Sequence, residues 1–215
     1  MLRRRIVKDK MAQGLMCSLT ILSILFVLVM AVGLYLKSAP VLEGRSFVSL
    51  ITSSEWKPMK GEFGFLPFIV GSLWVTFLAI LIAFPISLLT AIYLTEYARP
   101  KVRKLVFPAL DILAALPSVI YGVWGMLVIV PWISSRVAPH FMDFSSGYTV
   151  LAAGIVLGVM VLPLLVSLFI EVFSSVPVEL REASLALGAT RWQTAKKVVL
   201  RKTLAGMLAA TVLAV

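Results

Sequence analysis

Long apolar segments, separated by short polar and basic ones, dominate the pattern of hydrophobic positions along the chain. Four of them lie near residues 13–36, 68–94, 106–130 and 149–172, and a fifth begins near residue 204. A helix needs roughly 20 mostly apolar residues to cross the hydrocarbon of a bilayer. Because lipid cannot hydrogen-bond the backbone, segments this long are predicted to be helices. The pattern therefore predicts an all-α bundle of transmembrane helices.

The composition agrees with an integral membrane protein. Hydrophobic residues make up 60% of the 215 residues and charged residues 14%, which excludes an ordinary soluble domain. The first apolar segment follows a basic stretch, as in a cleaved signal peptide. Its apolar run is too long for one and no convincing small-residue cleavage site follows, so we predict an anchor helix.

The positive charges concentrate in alternate loops. The net charge of +10 could suggest nucleic acid, but most of the cations lie before the first segment, at 95–105 and in an insert at 176–206. By the positive-inside rule these three parts are predicted to be cytoplasmic. We expect their cations to face membrane lipid, and we expect no nucleic-acid partner. In the first two parts the cations are Arg3, Arg4, Arg5, Lys8, Lys10, Arg99, Lys101, Arg103 and Lys104. The intervening loops hold Lys37, Arg45, Lys57, Lys60 and Arg136, largely offset by Glu43, Glu55, Glu62 and Asp143.

The insert at 176–206 has the pattern of two short helices joined by a tight turn. Pro177 suits a first helical turn, and Ser174 and Ser175 lie just upstream as possible caps. Gly188 is the residue most easily placed in the left-handed conformation that ends a helix. We therefore predict that the first helix ends at Gly188.

The second helix of the insert has its own start signal. Thr190 and Gln193 have the spacing of a capping box, and Trp192, Ala195 and Val199 are predicted to share one face. The remaining face is strongly basic. The pattern fits an amphipathic connector that faces anionic lipid, and it fits equally well a docking site for a cytoplasmic partner.

The order of residues in the insert resembles a known motif. EAS at 182–184, a glycine at 188 and VxL at 198–200 resemble the EAA loop of permease subunits in binding-protein-dependent ABC importers. The resemblance implies a transmembrane bundle of the type I, MetI-like kind, in which this loop forms coupling helices that sit in a cleft of the ATPase. It implies that four residues form the ATPase-coupling loop: Glu182, Ala183, Gly188 and Leu200.

Two further segments narrow the resemblance. TSSEWKPMKGEFGFLPFIVGSL at 52–73 and LAALPSVIYGVWG at 113–125 resemble the permease of the high-affinity phosphate importer, PstC type. Two positions depart from the family's EAA pattern, because Ser184 stands where a second Ala is usual and Arg201 where Pro is frequent.

The resemblance also implies a complex. Its expected partners are a second permease of the PstA type, two ATPase subunits of the PstB type and a periplasmic phosphate-binding protein of the PstS type. The chain has no Gly-x-x-x-x-Gly-Lys-Ser/Thr loop to bind ATP, so we expect no enzymatic activity and no cofactor of its own. ATP and Mg²⁺ are expected in the partner ATPase. The resemblance implies a protein that crosses the bacterial inner membrane several times and has a cytoplasmic N-terminus.

Prolines inside two apolar segments indicate a possible solute pathway. Pro85 and Pro117 can kink a helix and free backbone groups, which a bilayer tolerates only beside protein or a water-filled cavity. Ser118 and Tyr121 follow the second proline and are our candidates for contact with passing phosphate. Small and hydroxyl residues in membrane helices more often serve close packing, and a GxxxG at 154–158 is interpreted in that way.

No metal site is predicted, because Cys17 and His140 are single residues without converging ligands. The chain divides into a basic N-terminus at 1–12, a first helix at 13–36, an irregular extracytoplasmic loop at 37–67 and a permease core at 68–215. Two alternatives remain: a permease for molybdate, sulfate or an amino acid, and a channel or membrane sensor whose basic loop binds lipid. Growth on limiting phosphate tests the first, and capture of an ATPase tests the second.

Overall fold

The computed structural model describes residues 2–42, 46–141 and 144–214, with side chains from 8–40, 46–141 and 144–214. The side chains of Arg3, Arg4 and Arg5 lie outside these residues, as do Glu43, Arg45 and Asp143. Two compact units, Met1–Phe68 and Ile69–Val215, are described separately.

The first unit holds a long helix and a small hairpin. Helix α1 spans Leu2–Leu42 and a short α2 spans Phe47–Thr52. Strand β1, Trp56–Lys57, pairs antiparallel with β2, Glu62–Phe63. Between them lies a 3-10 turn at Pro58–Lys60. The loop predicted at 37–67 contains these short elements, which the sequence did not predict because strands of two residues are too short to show alternating hydrophobicity. Its extracytoplasmic location stays a prediction.

Aromatic packing stabilises the hairpin. The Trp56 ring lies 5.8 Å from Phe63 and 4.8 Å from Phe68, both in edge-to-face geometry. Lys57 Nζ donates to Glu55 Oε2 at 2.9 Å, and this hydrogen bond holds the pKa of the Glu55 carboxyl below its usual range. Both side chains are exposed, so the pair adds little to stability.

In the described residues of the second unit, all the regular secondary structure is helical. Helix α3 spans Leu66–Tyr97 and ends in a π-helical turn at Tyr93–Tyr97, and α4 spans Pro100–Ala115. Helix α5, Ser118–His140, contains π-helical turns at Gly125–Ile129 and Ile133–Val137 and closes in a 3-10 turn at Ala138–His140. Helix α6 spans Val150–Ser174 and α7 spans Val178–Ala186. Helix α8 begins at Arg191–Thr194, passes through a π-helical turn at Ala195–Val199 and continues as Leu200–Ala214.

Four helices in the described residues are long and apolar enough to cross a membrane: Lys8–Pro40, Leu66–Tyr97, Ser118–His140 and Val150–Ser174. The all-α prediction is confirmed. The span predicted at 106–130 was wrong, because Leu116 and Pro117 have extended backbone (ψ 130° and 138°) and separate α4 from α5. A residue before proline is disfavoured in the helical region, and proline donates no backbone hydrogen bond. The second helix of the insert, predicted to start at Thr190, and the fifth span, predicted to begin near 204, form one continuous helix from Arg191 to Ala214.

Helix α6 is the centre of the core. Leu165, Phe169 and Phe173 are buried in a cluster that also contains side chains from α3 and α8. The packing role predicted for the GxxxG is confirmed: a Cβ on Gly154 would lie 2.7 Å from Leu78 Cβ of α3, and one on Gly158 would lie 3.2 Å from the Ala79 carbonyl oxygen. The two glycines allow α3 and α6 to approach closely.

Candidate docking hairpin and transmembrane cavity

The insert at 176–206 forms the predicted helix, turn and helix. After α7, Gly188 has φ +81°, and its N–H donates to the Leu185 carbonyl at 2.9 Å. The next N–H, of Ala189, donates to the Ser184 carbonyl at 3.2 Å. This left-handed ending needs a residue without a Cβ penalty, as the sequence predicted. We refer to 176–206 as the docking hairpin.

The second half of the docking hairpin starts at the predicted capping box. The Gln193 N–H donates to Thr190 Oγ1 at 3.3 Å, and the Thr190 N–H donates to Gln193 Oε1 at 2.9 Å. The caps proposed for α7 were wrong, because Pro177 occupies its N-cap position and Ser175 Oγ donates back to the Val172 carbonyl at 2.7 Å.

One side of the docking hairpin is fastened to the bundle. Ala195 and Val199 are 1% exposed and join the core around α6, and Leu200 packs partly buried against the same cluster. Trp192, predicted on this face, is 48% exposed instead, because Thr194 takes the buried position. Thr194 shares a hydrogen bond of 3.0 Å with Ser184. Ser184, which stands where the family's motif usually has Ala, therefore links the two short helices.

The other side of the docking hairpin is not covered by any described part of the chain. Glu182, Ala183 and Gly188 are exposed there. Leu180 is 42% and Leu187 89% exposed, so apolar side chains stand beside the acidic ones. The exposed cations of the second helix are Arg191, Lys196, Lys197, Arg201 and Lys202. A surface of mixed acidic, apolar and basic groups at the end of a membrane bundle suits docking of another protein.

One residue of the docking hairpin, Arg181, was missed by the sequence analysis. Its guanidinium donates to the Phe173 carbonyl at 2.7 Å and to the Val176 carbonyl at 3.2 Å. Its Nε lies 3.2 Å from Glu96 Oε1 at the end of α3. The signal in the sequence was an acidic residue at the end of an apolar segment, which a membrane-embedded chain places where a cation can reach it.

A cavity of about 620 Å³ lies between α3, α5 and α6 and contains both candidate pathway residues. Ser118 and Tyr121 line it together with Met160, which lies near the midpoint of α6. The Tyr121 hydroxyl donates to the Leu113 carbonyl at 2.8 Å, so it bridges the break between α4 and α5. Most of the other lining residues are apolar or glycine: Gly71, Val75, Gly122, Gly125, Met126, Val130, Val150, Ala152, Ala153, Val156 and Leu157, with the polar Tyr148 and Thr149.

Comparison with known proteins assigns the chain to a family of membrane transport proteins. Residues 83–215 match the family described as binding-protein-dependent transport system inner membrane component. The probable ABC transporter permease protein YqgH of Bacillus subtilis is 41% identical over 79% of this chain and 54% of its own length. The phosphate transport system permease protein PstC of Xylella fastidiosa is 37% identical over 73% of this chain and 52% of its own length. The chain thus spans about half the length of the curated relatives it matches.

A solved structure shares the fold. An inward-facing structure of the MetNI methionine ABC transporter matches with a TM-score of 0.53 and 25% identity, over 70% of this chain and 66% of the other. Together with the family match, this confirms the predicted fold class, a polytopic transmembrane bundle of the type I ABC permease kind.

Proposed function

Because the chain belongs to the family of binding-protein-dependent transport system inner membrane components, we propose that it is a permease subunit of an ATP-driven phosphate importer. In this role it forms half of the translocation pathway and couples to a cytoplasmic ATPase through the docking hairpin. The observation on which the coupling role depends is the uncovered face of that hairpin, with Glu182 exposed and Gly188 in a left-handed turn.

The proposed orientation places the N-terminus and the docking hairpin in the cytoplasm. Glu96, at the end of α3, lies 3.2 Å from Arg181 of the docking hairpin, so the basic loop at 95–105 and the hairpin lie at the same end of the bundle. The positive-inside rule assigns both to the cytoplasmic side, where ATP is found. ATP and Mg²⁺ then belong to the partner ATPase, and this chain hydrolyses nothing itself.

Phosphate as the solute is supported by several relatives, which are named phosphate transport system permease proteins. The cavity lining contributes few polar groups, which are Ser118, Tyr121, Tyr148 and Thr149. A lining this apolar holds an anion weakly, and weak holding suits a pathway that must release its solute. We propose that selection of phosphate resides in a PstS-type binding protein, and that PstA-type and PstB-type subunits complete the complex.

The solute is tested by transport into proteoliposomes that contain the full-length permease and its partner subunits. We expect uptake of labelled phosphate that requires both MgATP and the binding protein. Excess unlabelled phosphate is expected to compete, whereas sulfate, molybdate and amino acids are not. ATP-driven uptake of one of these other solutes in place of phosphate would overturn the phosphate assignment.

Reversal of one exposed charge tests the docking role. The Glu182 side chain is exposed and forms no ion pair with described residues, and we expect Glu182→Lys to weaken capture of the ATPase by about tenfold, which corresponds to about 1.4 kcal/mol. The measurement is the amount of ATPase subunit that co-purifies with the tagged permease. Glu171→Lys, an exposed acidic residue near the end of α6, is the matched control and should leave capture unchanged. Equal capture by wild type and Glu182→Lys would contradict the docking role.

A further inference from the structure

The Arg181 guanidinium joins three elements of the second unit. It belongs to α7 of the docking hairpin, it donates to the Phe173 carbonyl in the last turn of α6 and to the Val176 carbonyl just after it, and it pairs with Glu96 of α3. The side chains of Arg181 and Glu96 are only 19% and 11% exposed. Ion pairs on open surfaces are weak, whereas a partly buried pair with further hydrogen bonds is stronger and more rigid.

The end of α3 is held from a second side as well. Arg103 of α4 donates to the Thr95 carbonyl, next to Glu96. These contacts fall in the π-helical turn at Tyr93–Tyr97. A π-helical turn is a departure from the regular helix and is frequently found at functional sites. Two arginines therefore hold this turn, and one of them, Arg181, belongs to the docking hairpin.

Both helices that Arg181 contacts lead to the cavity. Helix α3 places Val75 on the cavity wall, about 30 Å along the helix from Glu96 at 1.5 Å per residue. Helix α6 contributes Val156 and Met160 to the same wall. The close packing at Gly154 and Gly158 ties α3 and α6 to each other. A displacement of the ends of α3 and α6 near Arg181 would therefore reach the cavity wall through two packed helices.

We infer that Arg181 and Glu96 form the joint through which movement of the docking hairpin displaces α3 and α6 together and changes the width of the cavity. Arg181 acts as a positioning residue, because it contacts neither the solute nor, through its inward-facing guanidinium, the docking surface. A planar guanidinium suits this role because its two terminal nitrogens donate to the Val176 and Phe173 carbonyls while its positive charge lies 3.2 Å from the Glu96 carboxylate. The inference rests on the proposed function, since it concerns how that permease is coupled.

A double-mutant cycle tests the joint in the full-length permease, assembled with its partner subunits in proteoliposomes. The variants are Arg181→Gln, Glu96→Gln and both together, and the readout is labelled phosphate taken up per ATP hydrolysed. We expect each single variant to lower this ratio by about tenfold while ATPase capture and membrane abundance stay near wild type. The double variant is expected to be no worse than either single one, because both changes break the same link.

The matched control is Arg99→Gln, which removes an exposed arginine close to the end of α3 and should leave the ratio unchanged. A wild-type ratio in both single variants, or a double variant whose loss is the product of the two single losses, would overturn the joint. So would a loss of ATPase capture or of membrane abundance in step with uptake, since that pattern marks a merely structural role. Failure of the wild-type complex itself to capture an ATPase or to transport phosphate would overturn the proposed function instead.

Discussion

Gly188→Val is expected to uncouple ATP hydrolysis from uptake while the protein stays in the membrane. Gly188 has φ +81°, and a β-branched residue there costs about 1–3 kcal/mol in backbone strain. A Cβ at this position meets nothing within 4 Å among the described atoms, so the effect is conformational and not steric. We expect the turn to open and the hydrogen bonds that end α7 to be lost.

Such a change alters the angle between the two short helices without touching the core around α6. Uptake per ATP is expected to fall by tenfold or more, which corresponds to about 1.4 kcal/mol of lost coupling. The measurement compares labelled phosphate uptake, ATP hydrolysis and membrane abundance in the same preparations.

Two controls separate backbone strain from added volume. Gly188→Asn should retain most of the coupling, because asparagine tolerates the left-handed conformation better than other residues with a side chain. Gly33→Val adds the same side chain in α1, at a position with helical backbone and open space, and should be silent. Normal coupling in Gly188→Val would show that the turn is not needed and would count against the docking assignment.

Gly154→Leu is expected to reduce the stability of the bundle itself. The added Cβ would lie 2.7 Å from Leu78 Cβ, far inside van der Waals contact, so α3 and α6 must separate. Overpacking of this kind costs about 1–3 kcal/mol, and we expect a lower midpoint of thermal unfolding in detergent and less protein in the membrane. We expect this loss of stability even where coupling is not measured, because the two helices that form the core no longer pack closely.

The control for this substitution is Gly122→Leu. That glycine lies in α5, and a Cβ there meets nothing within 4 Å among the described atoms, so its unfolding midpoint should remain close to wild type. An unchanged midpoint in Gly154→Leu would mean that the interface between α3 and α6 can expand at no cost, and the packing argument for the GxxxG would be wrong.

Features that depend on neighbours in the sequence were predicted well. The ending at Gly188 and the capping box of Thr190 and Gln193 appear as expected, because φ preference and capping geometry act within a few residues. The third span was misplaced for a related reason. Hydropathy is averaged over a window that includes Pro117 and does not report the extended backbone at Leu116 and Pro117. An apolar run that looks continuous in sequence is therefore two helices.

The role of individual site residues was harder to predict. Tyr121 was selected as a possible solute contact, yet its hydroxyl is engaged with the Leu113 carbonyl across the helix break, and contact with a solute stays a prediction. Ser184, noted only as a departure from the family's motif, bonds to Thr194 within the docking hairpin. Arg181 and Glu96 were not linked at all, because the spacing of two charges along the chain does not reveal whether they meet.

The amino-acid sequence is sufficient to predict a helical membrane bundle, the positions of its basic loops and the turn of the docking hairpin. Those properties follow from apolar length, charge distribution and local backbone preference, each of which acts over a short stretch of chain. Long-range packing, in contrast, selects which helix ends meet at Arg181, which face of the docking hairpin stays uncovered and which residues surround the cavity. These depend on how distant helices pack, where small differences in shape select one arrangement among many.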